Sequence, residues 1–334
     1  MFKRYLLTPL ALTAVLAGGL AGEAMATAQR TFVASTGNDA NPCSLAAPCR
    51  GFAAAITQTS PNGEVIVLDS AGYGPATITQ PVSIIAPPGI YGGISVTAGG
   101  AGMTVNAGSG KVTLRGLTIN NITGGTSGIA FVSATSLYVD NCIVTNFPTA
   151  GLAATVGASS TVTVTNSIFR DNGTGASFAA SAGTLTVSIE NTLFGRNTTG
   201  LSFGDGAVGT VHFSTVSGGN NGMVVAPPTS GKTANIEVRD STISDNGNIG
   251  ISATQTGAGS PVTLASVVST QVSGNLIGIQ VTGTNSSAYV SDSTIVRNVS
   301  SLNMVSAGTT VSGGDNRLVA NTFNVGFSST VPKL

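Results

Sequence analysis

The stretch Asn166-Ser-Ile-Phe-Arg-Asp-Asn172 decides the fold, because its polar ends and apolar centre return along the middle of the chain. The further copies are Asn191-Thr-Leu-Phe-Gly-Arg-Asn197, Ser214-Thr-Val-Ser-Gly-Gly-Asn220, Asp240-Ser-Thr-Ile-Ser-Asp-Asn246, Ser269-Thr-Gln-Val-Ser-Gly-Asn275 and Asp292-Ser-Thr-Ile-Val-Arg-Asn298. Their closing Asn residues lie 25, 23, 26, 29 and 23 positions apart. A period of this length is typical of stacked supersecondary units.

Each period also contains two further apolar runs. A Gly-led run such as Gly200-Leu-Ser-Phe203 follows the closing Asn, and an alternating run such as Leu185-Thr-Val187 precedes each copy. Alternation of apolar and small polar residues predicts a strand with one buried face. Three such strands per period predict an all-β solenoid, a parallel β-helix of about ten coils, in which each strand pairs with its equivalent one turn later.

Equivalent side chains of successive coils should then stack on one another. We expect Phe169 to lie on Phe194, and Phe178 on Phe203, inside the coil. The closing residues should form a structural Asn ladder at one bend, where Asn tolerates left-handed backbone and amides can bond along the stack. The members of this predicted ladder are Asn172, Asn197, Asn220, Asn246, Asn275 and Asn298. On the surface, Asp171 and Arg196 should pair between neighbouring coils.

The composition narrows the range of functions. The chain has 334 residues, of which 8% are charged and 41% are apolar, and 13 Lys and Arg balance 13 Asp and Glu. No basic stripe is visible in the sequence, so nucleic acid is not an expected partner. Polar character comes from Ser, Thr, Asn and Gly, which favour turns and strand surfaces over helical bundles.

The first 26 residues are predicted to be a signal peptide. Lys3 and Arg4 precede an apolar run, and Ala24-Met25-Ala26 offers small residues at the spacing that a signal peptidase needs. The alternative is an uncleaved membrane anchor, but no stop-transfer charge cluster follows the run. We therefore expect a secreted or periplasmic protein with no transmembrane segment after cleavage.

The three cysteines fit export. Cys43 and Cys49 lie in a Pro-containing loop without a nearby His, so a disulfide is expected rather than a metal site. Cys142 lies in an apolar run and is expected to be a buried, inert thiol. No metal ion and no cofactor are predicted.

The N-terminal part of the mature chain should close the coil. Gly51-Phe-Ala-Ala-Ala-Ile-Thr-Gln58 is the one convincing helix of the sequence, with Phe52, Ala55 and Ile56 on one face. An open coil exposes its core and its strand edges, and this helix could cover the first turn. The predicted organisation is a signal peptide at 1–26, a cap with the disulfide loop and helix at 27–62, and a β-helix at 63–334.

The coil length, the Asn-x-x-Gly turns and the N-terminal plug resemble the right-handed parallel β-helix proteins of the pectin-lyase-like superfamily over roughly residues 30–334. The opening Ser35-Thr-Gly-Asn-Asp39, the Cys43–Cys49 loop and Phe52-Ala-Ala-Ala-Ile56 are similar to the start of exported bacterial β-helix proteins without an assigned activity. The resemblance implies a right-handed coil. Because the superfamily contains lyases, hydrolases, epimerases and adhesins, it does not fix an activity.

No catalytic residue is predicted. The Asn-Thr-Asp, Asp-Asp, Gly-His-Gly and Arg-x-Lys motifs of the superfamily's hydrolases do not occur in the sequence. His212 is expected to be a surface residue of a strand, and Glu190 and Glu237 lie on nearby strands without a clustered Lys or Arg pair. Lyases that act on uronates need a cationic base, and the lysines and arginines are few and scattered.

Two functions therefore remain open. The first is a non-catalytic protein whose long uncharged surface serves a structural role or binds a polysaccharide or an envelope protein. The second is a divergent carbohydrate-active enzyme, either a polysaccharide lyase or a glycoside hydrolase, which would need at least two carboxylates and an Arg or Lys converging in a groove. The few aromatic residues that could stack on sugars are Tyr73, Tyr91, Tyr138 and Tyr289, and each of them could equally be packing.

Overall fold

A computed structural model describes residues 27–227, 232–255 and 263–331. The predicted signal peptide at 1–26 lies outside the described residues. The described chain forms one short helix and a series of short strands arranged in three long parallel sheets, which we call sheets A, B and C.

Sheet A has 13 strands, in the order Ala28–Val33, Thr59–Val67, Val82–Ile85, Lys111–Arg115, Ser136–Asp140, Ser160–Thr165, Leu185–Glu190, Ala207–His212, Ala234–Arg239, Thr263–Val268, Ser286–Ser291, Thr309–Ser312 and Ser329–Thr330. Sheet B has 11 strands, namely Ala71–Gly72, Gly92–Val96, Leu117–Asn121, Ile143–Thr145, Ile168–Arg170, Leu193–Gly195, Thr215–Ser217, Thr242–Ser244, Gln271–Ser273, Thr294–Val296 and Arg317–Val319. Sheet C has 10 strands, namely Ala76–Ile78, Ala101–Asn106, Ser127–Ser133, Ala150–Val156, Thr174–Ala180, Thr199–Phe203, Asn221–Val225, Ile249–Thr254, Ile277–Thr282 and Ser300–Val305.

One turn of the solenoid passes through sheets A, B and C in sequence. Leu185–Glu190, Leu193–Gly195 and Thr199–Phe203 form one such turn, and each strand pairs in parallel with its equivalent in the next turn. The described chain makes about 9 turns. The prediction of a parallel β-solenoid with three short strands per period is confirmed.

The interior is filled by columns of stacked apolar side chains. Phe169 lies on Phe194, and Phe178 on Phe203, each pair with ring centroids 5.3 Å apart. Ring pairs at this distance add to the free energy gained by burial. Every buried polar side chain in the described part of the chain is Ser, Thr or Asn, so the core of these ranges contains hydroxyls and amides but no charges.

The corner between sheets A and B is closed by a hydroxyl ladder that the sequence analysis did not identify. Its members are Ser167, Thr192, Ser214, Ser241, Thr270 and Ser293. Each hydroxyl accepts the backbone N–H of the equivalent residue one turn earlier at 3.1–3.5 Å. Each also donates to the carbonyl two residues before it at 2.7–2.9 Å. The ladder therefore satisfies buried backbone groups that the bend removes from the sheet.

The corner between sheets B and C uses amides in the same way. The Asn197 Oδ1 accepts both the backbone N–H and the Nδ2 of Asn172, each at 3.0 Å. A second run contains Asn246, Asn275 and Asn298, in which the Oδ1 of Asn275 and of Asn298 accepts from the Asn one turn earlier at 2.9–3.0 Å. Asn321, which was not among the predicted members, extends this run by accepting from Asn298.

One predicted member of the Asn ladder is wrong. Asn220 is exposed, and the ladder position in its turn is held by Gly219, whose N–H donates to the Asn246 Oδ1 at 3.2 Å. The seven-residue copy in this turn therefore begins at Phe213 and ends at Gly219. The sequence alignment placed this copy at Ser214–Asn220, one residue too late, because Asn220 is the same residue type as the closing Asn of the other copies.

The left-handed residue at the second corner precedes the ladder Asn rather than being that Asn itself. Asp171, Arg196, Asp245 and Arg297 adopt φ values of 53–60°, and Gly218 adopts 71°. On this exposed column Arg196 forms two hydrogen bonds of 2.8 Å with Asp171, as expected. The hydrogen bond from Arg196 lowers the pKa of Asp171, with a smaller contribution from Arg170.

The N-terminal end of the coil is covered by the predicted helix, which spans Phe52–Gln58 and buries Phe52, Ala55 and Ile56. The Cys43–Cys49 disulfide is formed. Both half-cystines bond to Phe32, with the Cys43 carbonyl accepting at 2.8 Å and the Cys49 N–H donating at 2.9 Å. The bridge therefore fastens the loop to the first strand of sheet A. The predicted boundary between cap and β-helix, at residues 62 and 63, falls inside the strand Thr59–Val67.

Cys142 is fully buried between the sheets, as the sequence suggested. Burial raises the pKa of its thiol to about 12. The side chain therefore stays a protonated thiol at neutral pH and lacks the thiolate that nucleophilic chemistry needs.

Replacing Asn246 by Ala should lower the stability of the coil far more than replacing Asn220. The Asn246→Ala variant leaves the half-buried Gly219 N–H without its acceptor and removes the hydrogen bond from the Asn246 Nδ2 to Asn275, so we expect a loss of about 2–3 kcal/mol. The midpoint of urea unfolding, followed by far-ultraviolet circular dichroism, measures it.

Asn220→Ala is the matched control, since it removes the same chemical group from an exposed site. Its expected effect is within about 0.5 kcal/mol. Equal losses in the two variants would contradict the assignment of Gly219, rather than Asn220, to the ladder.

Candidate functional site

The outer edge of sheet A carries a concentrated row of charged and polar side chains. The last residue of each strand points outward at the same register, and neighbouring strands lie about 4.8 Å apart. In order along the coil, these residues are Arg115, Asp140, Thr165, Glu190, His212 and Arg239. The parallel register therefore brings together groups that are more than 20 positions apart in the sequence.

The next residue of each turn forms a second row at the corner, in left-handed backbone. Asn141, Asn166 and Asn191 have φ of 47–52°, and Asp240 has 48°. Asn and Asp are the residues that tolerate this conformation best after Gly. Between Asn191 and Asp240, the same position is occupied by Phe213 with φ of 46°.

Phe213 is exceptional in both conformation and exposure. A bulky residue in left-handed backbone is strained, at a cost of order 1–3 kcal/mol. The residue is 57% exposed, so burial of its surface offsets little of that cost. It lies on the imidazole of His212, with ring centroids 3.7 Å apart. Strained residues cluster at functional sites, so Phe213 marks this corner as a candidate binding site.

Two shallow depressions flank the Phe213 ring, and together we call them the Phe213 groove. The first, of about 230 Å³, lies toward sheet B and is lined by the exposed apolar side chain of Leu193 together with Ile168 and Thr215. The second, of about 500 Å³, lies toward sheet A and is lined by Tyr138, Thr165 and Glu190. Asn166 and Asn191 line both depressions. Both depressions are lined mainly by polar side chains, and Leu193 and Ile168 add apolar surface to the first. We call the row of Thr165, Asn166, Glu190 and Asn191 the polar wall of the groove.

Asp140 organises the polar wall. Its carboxylate accepts from the Arg115 Nε at 2.9 Å, from the Thr165 hydroxyl at 2.8 Å and from the Asn166 Nδ2 at 3.0 Å. Burial alone would raise its pKa, but the hydrogen bonds from Asn166 and Thr165 and the charge of Arg115 together hold the pKa below its ordinary value. The carboxylate is therefore ionised at neutral pH, and its neighbours are fixed as donors.

A second charged cluster lies on the other side of Phe213. The His212 Nε2 is 2.9 Å from the Asp240 Oδ2, and Arg239 lies 3.5 Å from the same oxygen. Arg239 also pairs with Glu237 at 3.3 Å, so a single arginine serves both carboxylates. His212 is a surface residue, as expected, but it belongs to this ionic cluster.

The aromatic residues singled out in the sequence are mostly elsewhere. Tyr73 is buried, and its ring lies 5.3 Å from Phe52 of the cap. Tyr138 lines the groove, whereas Tyr91 is exposed in a turn nearer the N-terminus. Phe213 was missed because the copy was aligned on Asn220, which placed Phe213 inside an alternating strand. The signal that identifies it is a Phe in a column otherwise filled by Asn, Asp, Ser and Gly.

No group of three or more His, Cys, Asp or Glu residues that could hold a metal ion occurs within residues 27–227, 232–255 and 263–331. Within the same residues, no helix is long and apolar enough to span a membrane. Aspartate and glutamate in the groove are instead satisfied by side-chain donors or left open to solvent.

Comparison with known proteins supports the fold and its handedness. The family model of the right-handed β-helix region matches residues 90–203. A pectate lyase, Pel9A, superposes with a TM-score of 0.60 at 14% identity, covering 90% of this chain and 81% of that one. An alginate lyase from Paenibacillus sp. strain FPU-7 superposes with a TM-score of 0.58 at 14% identity, covering 87% and 100%. No curated protein matches the sequence. The chain therefore has the right-handed parallel β-helix fold, which it shares with this pectate lyase and this alginate lyase.

Proposed function

We propose that this protein binds a polysaccharide in the Phe213 groove and does not cleave it. The observation that carries the proposal is Phe213 itself, a strained and exposed aromatic ring at a position where Asn or Asp would be more stable. Such a residue is retained in spite of its cost in stability when the ring contributes to a function at the surface.

The chemistry of the groove suits a sugar chain. Sugar rings present apolar C–H faces and hydroxyl edges. The Phe213 ring and the exposed Leu193 side chain beside it can cover a face, while Asn191 and Glu190 can bond to an edge. The groove is shallow and open along the coil, so it fits a segment of a long polymer better than a small molecule enclosed on all sides.

The fold adds independent support. The two superposed enzymes, a pectate lyase and an alginate lyase, are named for polysaccharides that they act on, and this chain shares their fold. A fold does not determine a function, so this likeness supports a sugar polymer as the class of ligand and nothing finer.

We also propose that the protein is exported. The oxidised Cys43–Cys49 pair favours an oxidising compartment, and residues 1–26 have the pattern of a signal peptide. The intact mass of protein recovered from the periplasm or medium of a bacterial host should correspond to a chain that begins at Thr27. Protein that stays in the cytosol with its first residues attached would contradict export.

Replacing Phe213 by Asn should raise stability and abolish binding at the same time. Asn restores the residue type of the neighbouring turn, so we expect a gain of about 1 kcal/mol from relief of the left-handed strain. Loss of the aromatic surface should weaken binding at least about tenfold. Unfolding midpoints and affinity electrophoresis in gels containing chitin, chitosan, cellulose, pectate or alginate measure the two effects.

Tyr91→Asn is the matched control, because it removes another exposed aromatic side chain outside the groove. Its migration in the same gels should equal that of the unsubstituted protein. Failure of the unsubstituted protein to be retarded by any of the five polysaccharides, or equal retardation of Phe213→Asn, would refute the proposal.

One observation favours catalysis as a second candidate. The hydrogen bond between His212 and Asp240 pairs a base with a carboxylate that can orient it, beside Glu190 on the adjacent strand. Release of new reducing ends from a retarding polysaccharide, lost in His212→Gln while retardation persists, would support this candidate. Retardation without any new reducing ends would leave binding alone.

A further inference from the structure

The hydrogen bonds between the amides of the polar wall all run in one direction, from donor to acceptor toward Asp140. Asp140 is ionised and can only accept hydrogen bonds, so Asn166 must present its Nδ2 to it, which it does at 3.0 Å. The Asn166 Oδ1 is then turned toward the next coil, where the Asn191 Nδ2 donates to it at 2.8 Å. The orientation of Asn191 follows in turn.

The chain ends in free acceptors beside Phe213. Because the Asn191 Nδ2 donates to Asn166, the Asn191 Oδ1 faces the groove. Among the described residues, no group donates to that oxygen, and none bonds to or pairs with the carboxylate of Glu190. A ligand that fits here must bring hydrogen-bond donors to these two acceptors.

The surface around these two acceptors carries more negative than positive charge. Arg115 is paired with Asp140, and Arg239 is shared between Glu237 and Asp240. These carboxylates already engage the cations along this part of the row, and Glu190 adds a further negative charge with no partner. The groove therefore holds an excess of carboxylate, which repels an anionic polymer and attracts a cationic one.

We infer that the Phe213 groove selects amine-bearing sugars, such as β-linked glucosamine, over uronates. This inference rests on the proposed polysaccharide binding and specifies its ligand. A protonated sugar amine carries three donors and no acceptor, so it complements the Asn191 oxygen and the Glu190 carboxylate. The sugar face can then lie on Phe213. A uronate carboxylate at the same point would face only acceptors and like charge.

The test compares three hexasaccharides by isothermal titration calorimetry at about pH 6, where amino sugars are protonated. These are the fully deacetylated chitosan hexamer, the acetylated chitin hexamer and hexagalacturonate. The chitosan hexamer should bind most tightly, hexagalacturonate should not bind measurably, and rising salt should weaken only the chitosan complex.

The decisive variant is Glu190→Gln, which keeps the shape of the side chain and removes its charge. We expect it to weaken binding of the chitosan hexamer about fivefold and to leave the chitin hexamer within about twofold. Glu64→Gln is the matched control, since Glu64 lies on the same sheet far from the groove and pairs with Arg30. It should change neither affinity.

The outcomes separate this inference from the proposed function. Binding of hexagalacturonate or chitin at least as tight as that of chitosan, still lost in Phe213→Asn, would overturn the selectivity and keep the groove. An unchanged chitosan affinity in Glu190→Gln would also overturn the selectivity. Absence of binding for all three sugars would overturn the selectivity, and binding that Phe213→Asn does not affect would remove the site as well.

Discussion

The fold depends on how the coil satisfies backbone N–H groups at its bends. Within the three sheets each turn pairs with the next, but a left-handed residue at a corner removes a buried N–H from that pattern. A side chain one turn later supplies the acceptor, as the Ser241 hydroxyl does for Ser214 and the Asn197 amide does for Asn172. Because each turn completes the one before it, no single turn is stable alone, and a cap and a disulfide are used at the N-terminal end.

This requirement explains what the sequence could predict and what it could not. The Phe169–Phe194 stack and the pairing of Asp171 with Arg196 follow from the period alone, since equivalent positions must meet. The register of one turn was misassigned because Asn220 resembles a ladder residue although Gly219 occupies the position. Gly lacks an acceptor side chain but keeps the N–H that Asn246 needs, so the ladder tolerates the gap. Sequence spacing cannot distinguish these two neighbours.

The candidate site arises from the same rows that build the coil. Side chains that point outward at a corner are free to vary, because only the backbone conformation there is constrained. Asn191 adopts the left-handed conformation with little strain, whereas Phe213 one turn later adopts it with strain. The site does not form a sequence motif, since the residues that line the Phe213 groove lie in four successive turns. The register of the strands is needed to identify it, because only the register shows that Phe213 differs in residue type from the equivalent positions of the other turns.

Phe213 forms the aromatic surface of a binding groove whose open acceptors are Asn191 and Glu190. The decisive measurement is a crystal structure of the protein with the deacetylated chitosan hexamer. We expect one sugar ring to lie about 4 Å above Phe213, with its amine within about 3 Å of the Glu190 carboxylate. A hexamer bound on sheet C, or on sheet A without contact to Phe213, would contradict it.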